Sequence, residues 1–319
     1  MNNQENMLIL SSSPHIHSPQ NVTSAMRDVL IALIPALLVS LYFFGLPAAM
    51  VIATCVIVAV LSEIVAQKIM KRDVTVNDYS AVITGLLLAF CLPPALPLWM
   101  AAVGTIAAVI IGKQLFGGLG NNIFNPALVG RAFLLASWPL AMTTWTAPLD
   151  TITTATPMGL LKEASAQHLP SISQLFVGNV GGSIGETSAI ALIIGGLYLL
   201  YKGHIGWRIP FTYIGTVFVL TSIFGAVQGL GIWYPLYHLF GGGLLLGAFF
   251  MATDWVSSPI TQRGRIIFGI GCGLLTVLIR LKGGYPEGVC YSILLMNVVT
   301  PLIDRYTKGR IFGGVKKHA

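Results

Sequence analysis

Charge is what this 319-residue chain lacks most. Charged residues make up 9% of it, against roughly 25% in a soluble domain. Such a surface faces something other than water, which excludes an ordinary soluble enzyme or binding module. Long runs such as Val29–Phe44 and Pro47–Val60 hold no charge at all. Cysteine is also scarce. Cys55, Cys91, Cys272 and Cys290 stand apart and form no Cys-x-x-Cys pair, which argues against an iron–sulfur or zinc site built by this chain alone. They read as small apolar packing residues. Acidic residues number 11 against 18 basic ones, a net charge of +7. The basic residues are scattered at the ends of apolar runs, so nucleic acid is excluded as a partner. Residues 1–25 are polar, with Ser11, Ser12, Ser13, Pro14 and His15, and show no basic stretch leading into an apolar core. No cleavable signal peptide is expected, and targeting is assigned to the first span.

What is present is apolar length. A bilayer core takes about 20 apolar residues per helix, and nearly every part of the chain is such a run or a short connection. Ten spans can be drawn: 27–45, 46–67, 79–97, 98–116, 126–143, 187–202, 207–227, 236–253, 264–282 and 286–304. The third is broken near its end by Pro93, Pro94 and Pro97, which remove backbone donors. The carbonyls they free need partners from neighbouring helices or a wet cavity. With the N-terminus in the cytoplasm, 14 of the 18 basic residues fall on inner segments. Lys162, Arg280 and Lys282 fall outside, and Arg131 lies within the fifth span. The positive-inside rule then places both termini in the cytoplasm.

The two halves echo each other. Leu86–Phe90 precedes a proline-rich exit, and Leu244–Phe249 precedes Ser257-Ser258-Pro259; Phe116-Gly117-Gly118 matches Lys282-Gly283-Gly284. Two five-span units fit these offsets, and an odd number of spans inverts the second copy, as in many transporters. The expected fold is an all-α integral membrane protein with about ten transmembrane helices in two inverted five-helix repeats. The parts are a cytoplasmic tail (1–26), a first membrane repeat (27–143), an extracytoplasmic loop (144–186), a second repeat (187–304) and a basic cytoplasmic tail (305–319). Gly243-x-x-x-Gly247 and Gly269-x-x-x-Gly273 have the spacing that lets helix backbones approach closely. Gly117-Gly118-Leu119-Gly120 follows a membrane helix instead of a strand, so it reads as a loop bend and not a dinucleotide site.

Residues 144–186 form the one long connection, and a loop of that length is usually functional or disordered. It holds Asp150-Thr151-Ile152-Thr153-Thr154-Ala155-Thr156-Pro157-Met158. On composition alone, four threonines in six residues are a polar turn.

Asp150-x-x-Thr153-x-Ala155-Thr156 is, however, similar to the flavinylation signal D-x-x-S/T-G-A-T, on whose last threonine a flavin transferase places FMN. Gly117–Gly130 resembles the G-G-L-G-x-N-x-F-N-P-A-x-V-G segment of the RnfD/NqrB family. Thr253-Asp254, Arg263-Gly264-Arg265, Gly283–Val289 and Leu295-Met296-Asn297 resemble that family's C-terminal half, so the likeness covers nearly the whole chain. A first span near residue 27 suits the RnfD side, which has the shorter N-terminal portion.

The resemblance implies electron transfer within an Rnf complex, which couples exchange between ferredoxin and NAD to movement of Na⁺ or H⁺ across the bacterial inner membrane. FMN would be joined to Thr156 through its phosphate. Asp150 would serve recognition or orientation, and Thr153 and Ala155 would shape the segment. Thr154 departs from the usual glycine. Riboflavin held among the helices is also implied, with Asn121, Asn122 and Asn125 as candidate hydrogen-bonding residues. Helix-cap and turn roles suit those asparagines equally well. The implied partners are the other Rnf subunits (A, B, C, E and G), a flavin transferase during maturation, and the lipid bilayer. The chain would act as one part of the translocase and not alone; no catalytic or metal-binding residue is assigned. The rival reading is a secondary transporter or channel without a redox role, and an unflavinylated scaffold protein is a third. Glu63, Asp78, Asp254 and Asp304 are candidate ion-pathway residues at span ends.

Overall fold

The computed structural model describes residues 21–149, 153–162, 169–284 and 287–309. Helices dominate. In chain order they are α1 (Val22–Ile69), a 3₁₀ turn (Val76–Asp78), α2 (Ser80–Phe90), α3 (Leu98–Val109, continued by a π turn Ile110–Gln114), α4 (Pro126–Ser137) and α5 (Pro139–Thr143). After two short strands and the helices α6 (Pro157–Lys162) and α7 (Ile172–Val177) come α8 (Ala189–Lys202), α9 (Arg208–Val227) and α10 (Trp233–Phe240). The chain closes with α11 (Leu244–Leu246, continued by a π turn Gly247–Met251), α12 (Gln262–Lys282) and α13 (Val289–Thr307). Among the described residues α1, α9 and α12 are long and apolar enough to cross a membrane, and α10 with α11 makes a fourth candidate bent by 60°. Leu38, Ile57, Leu61, Val219 and Leu278 on these helices are more than half exposed. A face of that kind is stable against lipid and not against water.

The first two drawn spans are one 48-residue helix whose single non-helical residue is Gly45, with φ 59° and ψ −138°. A glycine tolerates that left-handed φ at no side-chain cost. The helix doubles back there. Lys113 bonds Glu63 and lines one cavity together with Val22 and Met26. A straight helix would hold residues 26 and 63 about 55 Å apart.

Two other spans are interrupted. α2 stops at Phe90, short of the drawn end at 97, because Pro93 and Pro94 bring no N–H to the carbonyls of Ala89 and Phe90. Leu92 N–H donates to Ala89 O (3.0 Å) and Gly185 N–H to Phe90 O (2.9 Å), while Ile184 N–H takes Leu92 O (3.0 Å). Gly185 is required for this approach, since a Cβ there would sit 2.2 Å from Phe90 Cγ. The drawn eighth span (236–253) is cut at Gly241–Gly243. There the Arg280 guanidinium donates to the carbonyls of His238 (2.6 Å) and Gly241 (3.2 Å), and so caps the end of α10. The segment 183–186 lies against both breaks, because a Cβ on Gly243 would meet Glu186 Oε2 at 2.7 Å. The drawn fifth span (126–143) ends at Ser137 and restarts as α5 at Pro139.

The long connection is not wholly helical. β1 (Trp145–Thr146) pairs antiparallel with β2 (Thr153–Thr154), Trp145 opposite Thr154. Close helix packing is visible where glycines allow it: a Cβ on Gly269 would strike Thr212 Oγ1 at 2.0 Å and one on Gly273 Thr216 Cβ at 2.6 Å, which seats α12 on α9. Gly117, Gly118 and Gly120 turn the α3–α4 connection with φ of 125°, 94° and 94°. All four cysteines are buried and free.

Candidate cofactor sites

Two regions, at opposite ends of the assembly, hold the residues that the sequence singles out. The first is the β-hairpin end. Leu149 N–H donates to Phe43 O (2.8 Å), tying the hairpin to the Gly45 fold-back. Thr153 is exposed in β2, and Ala155 is exposed beside it. Thr156 is 4% exposed. Its Oγ1 accepts from Gly159 N–H (3.0 Å) and its carbonyl from Leu160 N–H (2.9 Å), so it caps the start of α6. Met158 is buried with Leu175, Val180 and Tyr237 and rests against Gly241. Asp150 lies outside the described residues. The Thr156 hydroxyl is therefore present, after exposed Ala155 and before buried Pro157 and Met158, with its side chain turned inward. Receiving a phosphate requires Thr156 to rotate out of its cap.

The second region is a cavity of about 350 Å³ between the start of α1, α2, α4 and the π turn of α11. That volume lies within the range of small-ligand pockets, about 300–1,000 Å³. Its wall is mainly apolar, with Phe249 and Trp255 as aromatic surfaces and Asn122, Lys113 and Asp254 as polar ones. Asn125 also lines it, but its side chain is committed. Oδ1 caps α4 by accepting from Ala127 N–H (3.1 Å) and Leu128 N–H (3.4 Å), and Nδ2 donates to Met251 O (3.2 Å). Asn122 Nδ2 donates to Phe124 O (3.0 Å) and reaches Asp254 Oδ2 (3.5 Å). Asn121 is exposed and does not line the cavity. The structure thus brings together two of the three asparagines.

The candidate acidic residues divide in the same way. Glu63 is buried and receives both Oε bonds from Lys113 Nζ (2.8 Å each), plus Gln114 Nε2 (3.0 Å) and Gln67 Nε2 (3.2 Å). Lys113, counted on sequence among the cations flanking an inner loop, is instead 1% exposed and also donates to Ser80 Oγ (2.6 Å). Asp78 accepts from Ser80 N–H (2.8 Å) at the start of α2, and Asp304 from Ile260 N–H (3.1 Å), both structural uses. Asp254 alone of the four lines the cavity, accepting from Ser257 Oγ (2.9 Å). Sequence reasoning missed the Glu63–Lys113 and Arg131–Glu287 pairs and the capping by Arg280. The signal was an ionisable residue inside an apolar run, which needs a partner wherever it is buried.

A family model described as NQR2, RnfD, RnfE matches residues 9–313. The chain belongs to this family. Relatives of the RnfD kind match nearly end to end. The chain is similar to the D subunit of the Na(+)-translocating ferredoxin:NAD(+) oxidoreductase complex of Acetobacterium woodii, at 56% identity over 97% of this chain and 96% of the relative. It is similar to the D subunit of the proton-translocating ferredoxin:NAD(+) oxidoreductase complex of Clostridium ljungdahlii, at 50% identity over 97% of each. It is also similar to the D subunit of the ion-translocating oxidoreductase complex of Yersinia enterocolitica, at 37% identity over 97% of this chain and 99% of the relative.

Proposed function

We propose that this chain is the D subunit of an Rnf-type ion-translocating ferredoxin–NAD oxidoreductase, relaying electrons through a flavin joined to Thr156. The near-full-length likeness to the Acetobacterium and Clostridium relatives carries this reading. The Asp150-to-Thr156 motif supports it, with Thr153 and Thr154 in a strand paired to Trp145–Thr146 and Leu149 bonded to Phe43. The flavin supplies the redox chemistry when bound, and the protein positions it and sets its electrostatic surroundings. Thr156 Oγ1 is the attachment point, Thr153 and Ala155 present the segment to the transferase, and Asp150 orients it. The cavity suits a second, unphosphorylated flavin: Trp255 and Phe249 offer ring faces, and Asn122 and Lys113 offer polar contacts. Asn125 lines the same cavity with its side chain bonded to Met251 and the start of α4, and Asn121 lies outside it. A plain transporter gains support from the interrupted helices, but it has no use for a flavinylation signal.

Ten spans in two inverted five-helix units belong to the same proposal, with 144–186 outside and both termini in the cytoplasm of the bacterial inner membrane. The α1 fold-back and the paired breaks after Phe90 and at Gly241–Gly243 support it. A cysteine introduced at Gln167 is expected to react with an impermeant thiol reagent added to intact cells, whereas one at Lys71 stays unlabelled. The opposite pattern would invert the topology.

A flavin on the outer face lies about 30 Å of bilayer away from cytoplasmic donors, too far for one efficient hop. The chain therefore works only beside partners that carry electrons across, the remaining Rnf subunits (A, B, C, E and G). Purified flavinylated chain mixed with reduced ferredoxin or NADH should show slow or no flavin reduction, restored by those partners. Rapid reduction of the isolated chain would refute the relay. The same preparation, once denatured, should release a flavin without phosphate; release of none would remove the cavity from the proposal.

A further inference from the structure

A cluster of buried ionisable groups lies between the two helix breaks and shares no residue with either candidate flavin site. It gathers Glu186 from the segment before α8, Glu287 from the segment before α13, Arg131 from α4 and Arg280 from α12. Glu186 is 5% exposed. Its Oε1 accepts from Ser183 N–H (3.2 Å), and its Oε2 has no partner. Glu287 Oε2 is taken by the Arg131 guanidinium, and its Oε1 has no partner. The two carboxyl groups lie side by side on the Gly242–Gly243 backbone: Glu186 Oε2 is 2.7 Å from a Cβ built on Gly243 and Glu287 Cγ 3.8 Å from one built on Gly242. Arg280 commits Nη1 and Nη2 to the carbonyls at the end of α10, where the helix dipole supplies partial negative charge, and its Nε has no partner. Among the described residues, the other titratable groups facing the cluster are His238 on α10, with both ring nitrogens unpartnered, Tyr213 on α9 and Tyr234 on α10 beside Arg280, and the Cys91 and Cys290 thiols.

Two charged acceptors left without a donor in a buried site are strongly destabilising. Two facing carboxylates repel strongly and do not both ionise in such a place. One proton resolves both defects. A protonated Glu186 gains a donor, and Glu287 receives it while keeping its bond to Arg131. We propose that Glu186 and Glu287 form an acid–carboxylate pair that binds one proton within the membrane domain, against the Gly241–Gly243 break. The proton comes from water and returns to it, and no other bond changes. Because Met158 rests on Gly241 and Gly242, loss of the proton pushes the two charges apart directly under the Thr156 segment. Proton binding here does not depend on whether Thr156 carries a flavin.

Infrared spectroscopy of the full-length protein in lipid tests it. A carboxylic-acid carbonyl band should be present at neutral pH, move in heavy water, vanish at alkaline pH and be absent from Glu186→Gln. The glutamine amide can donate to Glu287 in the proton's place. Glu186→Gln should therefore keep the thermal midpoint of the parent at neutral pH and lose the parent's alkaline decline. A band surviving both Glu186→Gln and Glu287→Gln, or no band in the parent, would overturn the assignment. If Glu186→Gln does not fold, Glu186→Asp must shift the band, and an unmoved band overturns it equally. Removal of the band by sodium at neutral pH, with potassium inert, would assign these oxygens to a metal cation and reject the proton site.

Discussion

Thr156→Ala is expected to abolish covalent flavin completely. In a preparation made with a flavin transferase, the parent chain should fluoresce under ultraviolet light after denaturing electrophoresis. Its peptide containing Thr156 should weigh one FMN more, less water. The alanine variant should show neither. The loss would not reflect unfolding, because the hydroxyl's structural role is a single helix cap (Gly159 N–H to Thr156 Oγ1, 3.0 Å), and losing such a cap costs about 1 kcal/mol. Thr156→Ser, which keeps cap and nucleophile, should retain some label, and Thr154→Gly, which restores the usual signal, should retain all of it. An unlabelled parent peptide, or label persisting on the alanine variant, would remove Thr156 as the acceptor. Because the side chain is buried in the described structure, attachment has to precede closure of this segment or coincide with its opening.

Lys113→Met should be the most destabilising single change. It leaves Glu63 buried with only the amides of Gln67 and Gln114 as donors, and breaking a buried pair by removing one partner costs about 3–5 kcal/mol. The double variant Glu63→Gln with Lys113→Met removes both charges and should recover most of that loss. Thermal unfolding in detergent measures both. Equal midpoints for the single and double variants would mean that the pair is not coupled as the 2.8 Å contacts imply.

The membrane class, the long apolar helices and the boundary at Gly45 were legible in composition and run length, since lipid imposes one requirement on every span. The interruptions were legible only in part. Pro93 and Pro94 announce themselves by lacking N–H groups, but Gly241–Gly243 reads like ordinary small-residue packing. Its carbonyls are capped by an arginine 39 residues away along the chain, and no local pattern reports that. The same limit hid the ion pairs: Glu63 and Lys113 are 50 residues apart and meet only after α1 folds back. At the hairpin, the sequence places a threonine in a loop but says nothing about which way its side chain turns. For the asparagines, spacing alone did not separate Asn121 on the surface from Asn122 and Asn125 on the cavity.

The fold-back at Gly45 also bears on how the chain enters the bilayer during synthesis. No hydrophilic loop separates the two arms of α1, and Val29–Val60 carries no charge. Nothing strongly hydrated has to be moved through the lipid for both arms to go in, so they insert together as one helical hairpin. In the proposed topology, Arg27 at one end and Lys68, Lys71 and Arg72 at the other then stay on the side where the ribosome sits. In that topology the sense of α1 is set before α2 is translated.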